Sequence, residues 1–182
     1  AKSCPGLTFD HCSFLQLGTG SGIVARNCWF FTFNQCFMVG QSTGAGISSE
    51  FLDGPVVESG DFAGLWTVKS SMIEGFDNGI HWTGGKVSNF AVKDSAIQDS
   101  ATYGIYADDS VNTNSQIQQM TLDNVYFEAI TATPTSFIKS SNDSIDQLYM
   151  QSCFMLGGGN SSNVATAKIT GAHIDLGKPS TV

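Results

Sequence analysis

Two glutamates draw attention because they recur at one place in a repeated segment. Glu74 directly follows WTVKSSMI and Glu128 directly follows MTLDNVYF, while Gln98 holds the same place after FAVKDSAI. If these segments lie on consecutive layers, the two carboxylates are two layers apart, about 9 to 10 Å between backbones. That is near the upper end of the separation used in inverting glycoside hydrolysis, where one carboxylic acid protonates the leaving oxygen and the other carboxylate activates water on the opposite face. Gln98, between them, is both donor and acceptor for sugar hydroxyls. Asp77 and Asp99, further along the same edge, are alternative acidic partners, and Tyr126 offers a ring to the C–H face of a sugar. An acidic chain also turns carboxylates outward simply to solvate them, and spacing alone does not separate the two uses.

A second set lies in shorter segments opened by Gly-Ile. His81 in NGIHWT and Tyr106 in YGIYAD fall at one position, with Asp108 close by. A histidine base and a tyrosine acid on neighbouring layers are the parts of a polysaccharide lyase, which removes the proton next to a uronate carboxylate and expels the glycosidic oxygen. That chemistry needs a cation beside the uronate, and Lys69 and Lys93 are expected to pair with acidic neighbours instead. No metal or cofactor is indicated: the five cysteines, Cys4, Cys12, Cys28, Cys36 and Cys153, form no CxxC, and no His pair stands at ligand spacing. The cysteines read as reduced, structural thiols.

The positions of these residues depend on the repeat. LTFDHCSF, FTFNQCFM, WTVKSSMI, FAVKDSAI and MTLDNVYF superpose, with QLYMQSCF from Gln147 and AKITGAHI from Ala167 as looser copies. Each reads apolar, often Thr, apolar, polar, polar, small, variable, apolar. Their last residues, Phe14, Met38, Ile73, Ile97, Phe127, Phe154 and Ile174, are separated by 24, 35, 24, 30, 27 and 20 positions. A fixed motif with uneven spacing implies one structural unit joined by loops of varying length. Within the motif the apolar alternation breaks once, at His11, Gln35, Ser70, Asp94, Asn124, Gln151 and Gly171, residue types that suit a tight corner. The second strand of each unit appears as SGIVAR, AGISSE, NGIHWT, YGIYAD and SFIKSS.

A unit of about 20 to 30 residues with short strands, corner turns and one inward stripe cannot close its own core, but stacked copies can. The predicted fold is all-β, a right-handed parallel β-helix, with inward columns Leu7/Phe31/Trp66/Phe90/Met120, Phe9/Phe33/Val68/Val92/Leu122 and Cys12/Cys36/Ser71/Ser95/Val125. An antiparallel sandwich also has many short strands, but its hairpins would not repeat the same phase break. Outward columns then read Ser13, Phe37, Met72, Ala96, Tyr126, Cys153, His173 and, two residues on, Leu15, Val39, Glu74, Gln98, Glu128, Met155, Asp175. The apolar members, Leu15, Phe37 and Val39 above all, suit a seam between subunits.

At 182 residues the chain is the size of one domain, read here as a single domain over 1–182 and as a piece of a longer protein, since it starts without Met and is strand-like by Leu7. Eight Lys and Arg against 16 Asp and Glu give a net charge of −8, which repels phosphate backbones and anionic membranes. Nucleic acid and membrane insertion are therefore not expected, and no apolar run is long enough to span a bilayer.

The ΦTΦxx(S/C)xΦ ladder with its Gly-Ile strands resembles, over roughly residues 7 to 175, the right-handed β-helix of bacteriophage tailspikes and related pectate-lyase-like carbohydrate enzymes. The resemblance implies a homotrimer that binds, and in many cases cleaves, the capsular or O-antigen polysaccharide of a host bacterium. It also implies a virion location on the phage tail after synthesis in the host cytoplasm, with other tail proteins as partners. Glycoside hydrolysis by Glu74 and Glu128 is the leading enzymatic reading. A lyase of the same fold, or a non-catalytic trimeric shaft or adhesin, are the alternatives.

Overall fold

The computed structural model describes residues 4–15, 18–26, 28–50, 64–83, 86–108, 116–129, 136–140, 145–157, 164–166 and 172–174. In chain order these form β1 (Cys4–Asp10), β2 (Ser13–Leu15), β3 (Ile23–Arg26), β4 (Cys28–Asn34), β5 (Phe37–Val39), β6 (Ala45–Glu50), β7 (Leu65–Lys69), β8 (Met72–Glu74), β9 (Asn78–Trp82), β10 (Lys86–Gln98), β11 (Tyr103–Ala107), β12 (Gln116–Ala129), β13 (Ser136–Ser140), β14 (Ile145–Gln151), β15 (Phe154–Gly157), β16 (Val164–Thr166) and β17 (Ala172–Ile174). There is no helix among the described residues.

Every strand pairing is parallel, and the partners are successive copies of the repeat. One sheet runs β1-β4-β7-β10-β12-β14-β17, with the short strands β2, β5, β8 and β15 extending it past a bend; the other runs β3-β6-β9-β11-β13-β16. This is an all-β parallel solenoid, a β-helix. In β10 and β12 the strand continues through the bend, so both arms of the motif lie in one element.

The register follows the repeat residue for residue in the first five copies. Leu7 pairs with Phe31, Phe31 with Trp66, Trp66 with Phe90 and Phe90 with Met120. Aromatic side chains stack along the interior because like sits on like at each layer: Phe31 lies flat on Trp66 at 4.5 Å, and Trp66 meets Trp82 of the opposite sheet edge-on at 4.9 Å. Phe33, Phe76, Phe90, Phe127 and Phe137 complete the buried aromatic filling.

The bend has a local cause. His11, Gln35, Ser70, Asp94 and Asn124 all adopt φ near +50°, at the positions where the apolar alternation breaks. In the second, third and fourth copies the small residue after the bend then repairs the interrupted ladder. Ser71 Oγ accepts the N–H of Cys36 at 3.1 Å from the next layer while donating to the carbonyl of Lys69 at 2.7 Å; Ser95 Oγ does the same for Ser71 N–H (3.2 Å) and Lys93 O (2.6 Å). Cys36 Sγ accepts from Cys12 N–H at 3.3 Å. A buried N–H left unpaired at a bend is costly, and four of the first five copies carry Ser or Cys in this slot, the fifth carrying Val125.

Because left-handed backbone costs an L-residue about 1–2 kcal/mol, Ser70→Val, which adds β-branching at an exposed site, is expected to lower stability by about that much. Ser70→Gly is expected to be neutral within about 0.5 kcal/mol, the eased strain offsetting glycine's entropy. Urea unfolding midpoints of the two variants check this.

The sixth and seventh copies correct the sequence reading. Met120 pairs with Leu148, not Gln147, and Phe127 with Met155, not Phe154. The bend residue is accordingly Ser152 (φ 54°) rather than Gln151, and Cys153 is an inward, buried residue in the Ser/Cys slot rather than an outward one. Leu148-Tyr149-Met150 supplies the apolar alternation that Gln147 does not. In the last copy Ala172 and Ile174 pair with Leu148 and Met150, so Ile174 stands in register with Met150 rather than with the residue that closes the motif. Gly171 and Asp175 lie outside the described residues.

Candidate functional site

The register sets Glu74, Gln98 and Glu128 side by side on three consecutive strands: Gln98 is the direct partner of Glu74 in β8 and of Glu128 in β12. All three are half-buried and point outward, flanked by Val39 on one side and by Leu156 on the other. Leu156, not Met155, is thus the next residue of this column. Gln98 Nε2 donates to Glu128 Oε2 at 2.7 Å. The Tyr126 hydroxyl is a second hydrogen-bonding neighbour of Glu128; burial, and then that carboxylate, push the phenol pKa above its ordinary value. Tyr126 is itself braced by Phe154, whose ring lies parallel to it at 5.2 Å. Glu74 has no side-chain hydrogen bond among the described residues.

Beside this column runs an open groove of about 690 Å³. One bank is the row of bend residues, His11, Gln35, Ser70, Asp94 and Asn124; the other is the outward row Phe37, Met72, Ala96 and Tyr126. The groove therefore follows the solenoid axis across five layers, a span of about 19 Å. Its polar bank is tied layer to layer, with Asn124 Nδ2 donating to Asp94 Oδ1 at 2.9 Å and, next to it, Asn34 Nδ2 to Asp10 Oδ1 at 2.7 Å. The Asn34 hydrogen bond, followed by His11, holds the Asp10 carboxyl below its usual pKa. Tyr126 lines the groove and neighbours Glu128, so its ring stands between the groove and the carboxylate column.

Asp77 and Asp99 occupy the turns beyond the carboxylate column. Asp77 accepts from the Thr102 hydroxyl and from Asn78 Nδ2 (3.3 Å), and its carbonyl accepts from Thr102 N–H at 2.8 Å, so it latches one turn to the next. Asp99 has φ 46°, and its N–H bonds the carbonyl of Glu128 at 2.8 Å.

On the opposite sheet, His81 and Tyr106 are direct partners with parallel rings 4.9 Å apart. His81 Nε2 is buried, lies 3.5 Å from Asp108 Oδ2, and has no well-formed hydrogen bond among the described residues. Asp108 is buried, not part of a solvated acidic turn. The sequence reading did not connect Lys139 with this group. It pairs with Tyr106 in the next layer, so Ser48, His81, Tyr106 and Lys139 form one outward column. The signal was present, since Lys139 stands in SFIKSS where His81 stands in NGIHWT.

Burial holds the His81 pKa below the ordinary histidine value, opposed by Asp108 and Asp77. Unfolded, the ring binds a proton near pH 6.5, and folded it does so only at lower pH. The unfolded state therefore binds more protons in between, and the His81 contribution to stability is lost as pH falls below about 6.5. His81→Gln is expected to flatten that part of the profile, read as urea midpoints compared at pH 7.5 and 5.5.

The large exposed apolar residues include Leu15 (68%), Phe37 (41%), Phe30 and Leu65. Phe30 and Leu65 are direct partners, an apolar pair the repeat reading did not single out. No family model, curated protein or solved structure matches this chain.

Proposed function

We propose that the chain is part of a bacteriophage tailspike or tail fibre, a right-handed β-helix assembled as a homotrimer, which holds bacterial capsular or O-antigen polysaccharide in its axial groove and hydrolyses it with Glu74 and Glu128. The observation that carries this reading is the Glu74–Gln98–Glu128 column at the edge of a groove running along the axis. A polysaccharide is an extended polar chain with apolar C–H faces, and a groove with hydroxyl, amide and carboxylate groups on one bank and Tyr126 and Met72 on the other matches both characters. Glu74, free of side-chain donors among the described residues, is the acid that protonates the leaving oxygen. Glu128, oriented by Gln98 and Tyr126, is the carboxylate that directs water to the opposite face. Leu15 and Phe37 form the apolar seam between subunits, and the remaining partners are other tail proteins of the virion.

One observation favours a second reading. Lys139 beside Tyr106 supplies the cation that a lyase needs next to a uronate, with His81 as base and Tyr106 as acid.

Incubation with a panel of capsular and O-antigen polysaccharides tests both, with chain length followed by size exclusion and double-bond formation by ultraviolet absorbance. Shortening without new absorbance supports hydrolysis, whereas shortening with new absorbance transfers the chemistry to His81 and Tyr106. Binding without shortening makes the protein an adhesin, and neither across a broad panel makes it a shaft. A monomer in light scattering would overturn the seam.

A further inference from the structure

Four of the five cysteines lie on the first two layers, in register: Cys4 is the direct partner of Cys28, and eight residues on, Cys12 and Cys36 occupy the same slot one layer apart. The hydrogen-bonding task of that slot does not require sulfur, since Ser71 and Ser95 perform it in the next two layers. Nor does the Cys4/Cys28 column require it, because the equivalent residues further along are Val87, Ile117 and Ile145. The Cys12 and Cys36 thiols are therefore chemically superfluous to the fold in the place where they stand one above the other.

We infer that Cys12 and Cys36 are a site of oxidative cross-linking, a disulfide that staples the first layer of the solenoid to the second. In-register parallel strands bring the Cα atoms to about 4.8 Å, inside the span a disulfide accepts, and the β-carbons need to draw together by only a few tenths of an ångström. The Cys36 sulfur accepts the Cys12 N–H at 3.3 Å, and the two thiols donate in parallel to the carbonyls of Asp10 (3.3 Å) and Asn34 (3.1 Å), so the sulfurs lie one above the other in neighbouring layers. Access is unequal in a useful way: Cys12 is half-exposed, while Cys36 is buried at 3%. With a low-molecular-weight disulfide as oxidant, the Cys12 thiolate attacks one sulfur, expels a thiolate that takes up a proton, and forms a mixed disulfide. Cys36 then gives up its proton and attacks the Cys12 sulfur, releasing the second small thiol. Two protein thiols are oxidised and one small disulfide is reduced to two thiols. Burial raises the Cys36 pKa, so the second step is the slow one.

The inference is independent of what the groove binds. Its test is to expose the folded protein to glutathione disulfide, quench with acid, block remaining thiols with N-ethylmaleimide in denaturant so that buried ones react too, and map peptides by mass spectrometry, with a phosphine-reduced sample as reference. The expected result is a linked Cys12–Cys36 peptide pair, Cys153 still alkylated, and a melting temperature about 5–10 °C above the reduced protein, from closing a 24-residue loop. Cys12→Ser and Cys36→Ser keep the hydrogen-bond ladder and should lose the gain while melting like the reduced protein. Glutathione left on Cys12, maleimide on both residues after oxidation, a Cys4–Cys28 link alone, or a link with no thermal gain each overturn it.

Discussion

Glu128→Gln is expected to slow polysaccharide shortening by about 10²- to 10⁴-fold, the usual contribution of a positioned general base, with little change in stability. Glutamine keeps the size of the side chain and an acceptor oxygen for Gln98 Nε2 and the Tyr126 hydroxyl, so the column stays in place while the group that takes a proton from water is gone. Glu74→Gln should cause a loss of similar size on natural polysaccharide. On an aryl glycoside whose leaving group departs without protonation, its loss should shrink to less than tenfold, whereas that of Glu128→Gln should persist. The double variant should fall little below the worse single one, because both groups serve one transition state. Turnover by the variants at the parent rate, with binding intact, would remove both carboxylates from the chemistry.

The largest effect on folding is expected from Gly79→Ala. Gly79 lies against the next layer so closely that an added Cβ would stand 2.5 Å from Ile97 Cγ2 and 2.6 Å from the carbonyl oxygen of Gly104. A side chain can turn aside, but a carbonyl in the interlayer ladder moves only if the layers separate. The same approach recurs at Gly22, Gly46 and Gly104, where the Cβ would meet the next layer's carbonyl at 2.9, 2.7 and 2.7 Å. This is the physical meaning of the recurring Gly-Ile. Gly79→Ala is expected to cost about 3 kcal/mol or more and to lower the melting temperature by about 10 °C. Gly18→Ala, with nothing within 4 Å of the new methyl group, should stay within about 0.5 kcal/mol of the parent. Equal melting of the two variants would show that the layers are not held this tightly.

Much of this was legible because a solenoid writes its register directly into the sequence. Once Phe31 was aligned with Trp66 and Phe90, the bend residues, the inward columns and the adjacency of Glu74, Gln98 and Glu128 followed, and the structure brings each together. The reading failed where chemistry was matched loosely. Starting the sixth copy at polar Gln147 instead of Leu148 moved Cys153 to the wrong face, and a period of two leaves no tolerance for a slip of one. The groove was not legible at all, because its depth depends on how sharply the left-handed residues turn the chain and not on which residues line it. Burial of Asp108 was equally hidden, since it depends on packing against His81 and Trp82 of the neighbouring layer that no local pattern records.

Because the strands cross the axis and their hydrogen bonds run along it, the molecule is mechanically anisotropic. Tension along the axis meets the interlayer bonds one rung at a time, so the layers part in sequence at low force. Force directed along the strands instead loads many rungs together in shear. A rod built this way resists sideways and compressive load far better than stretching.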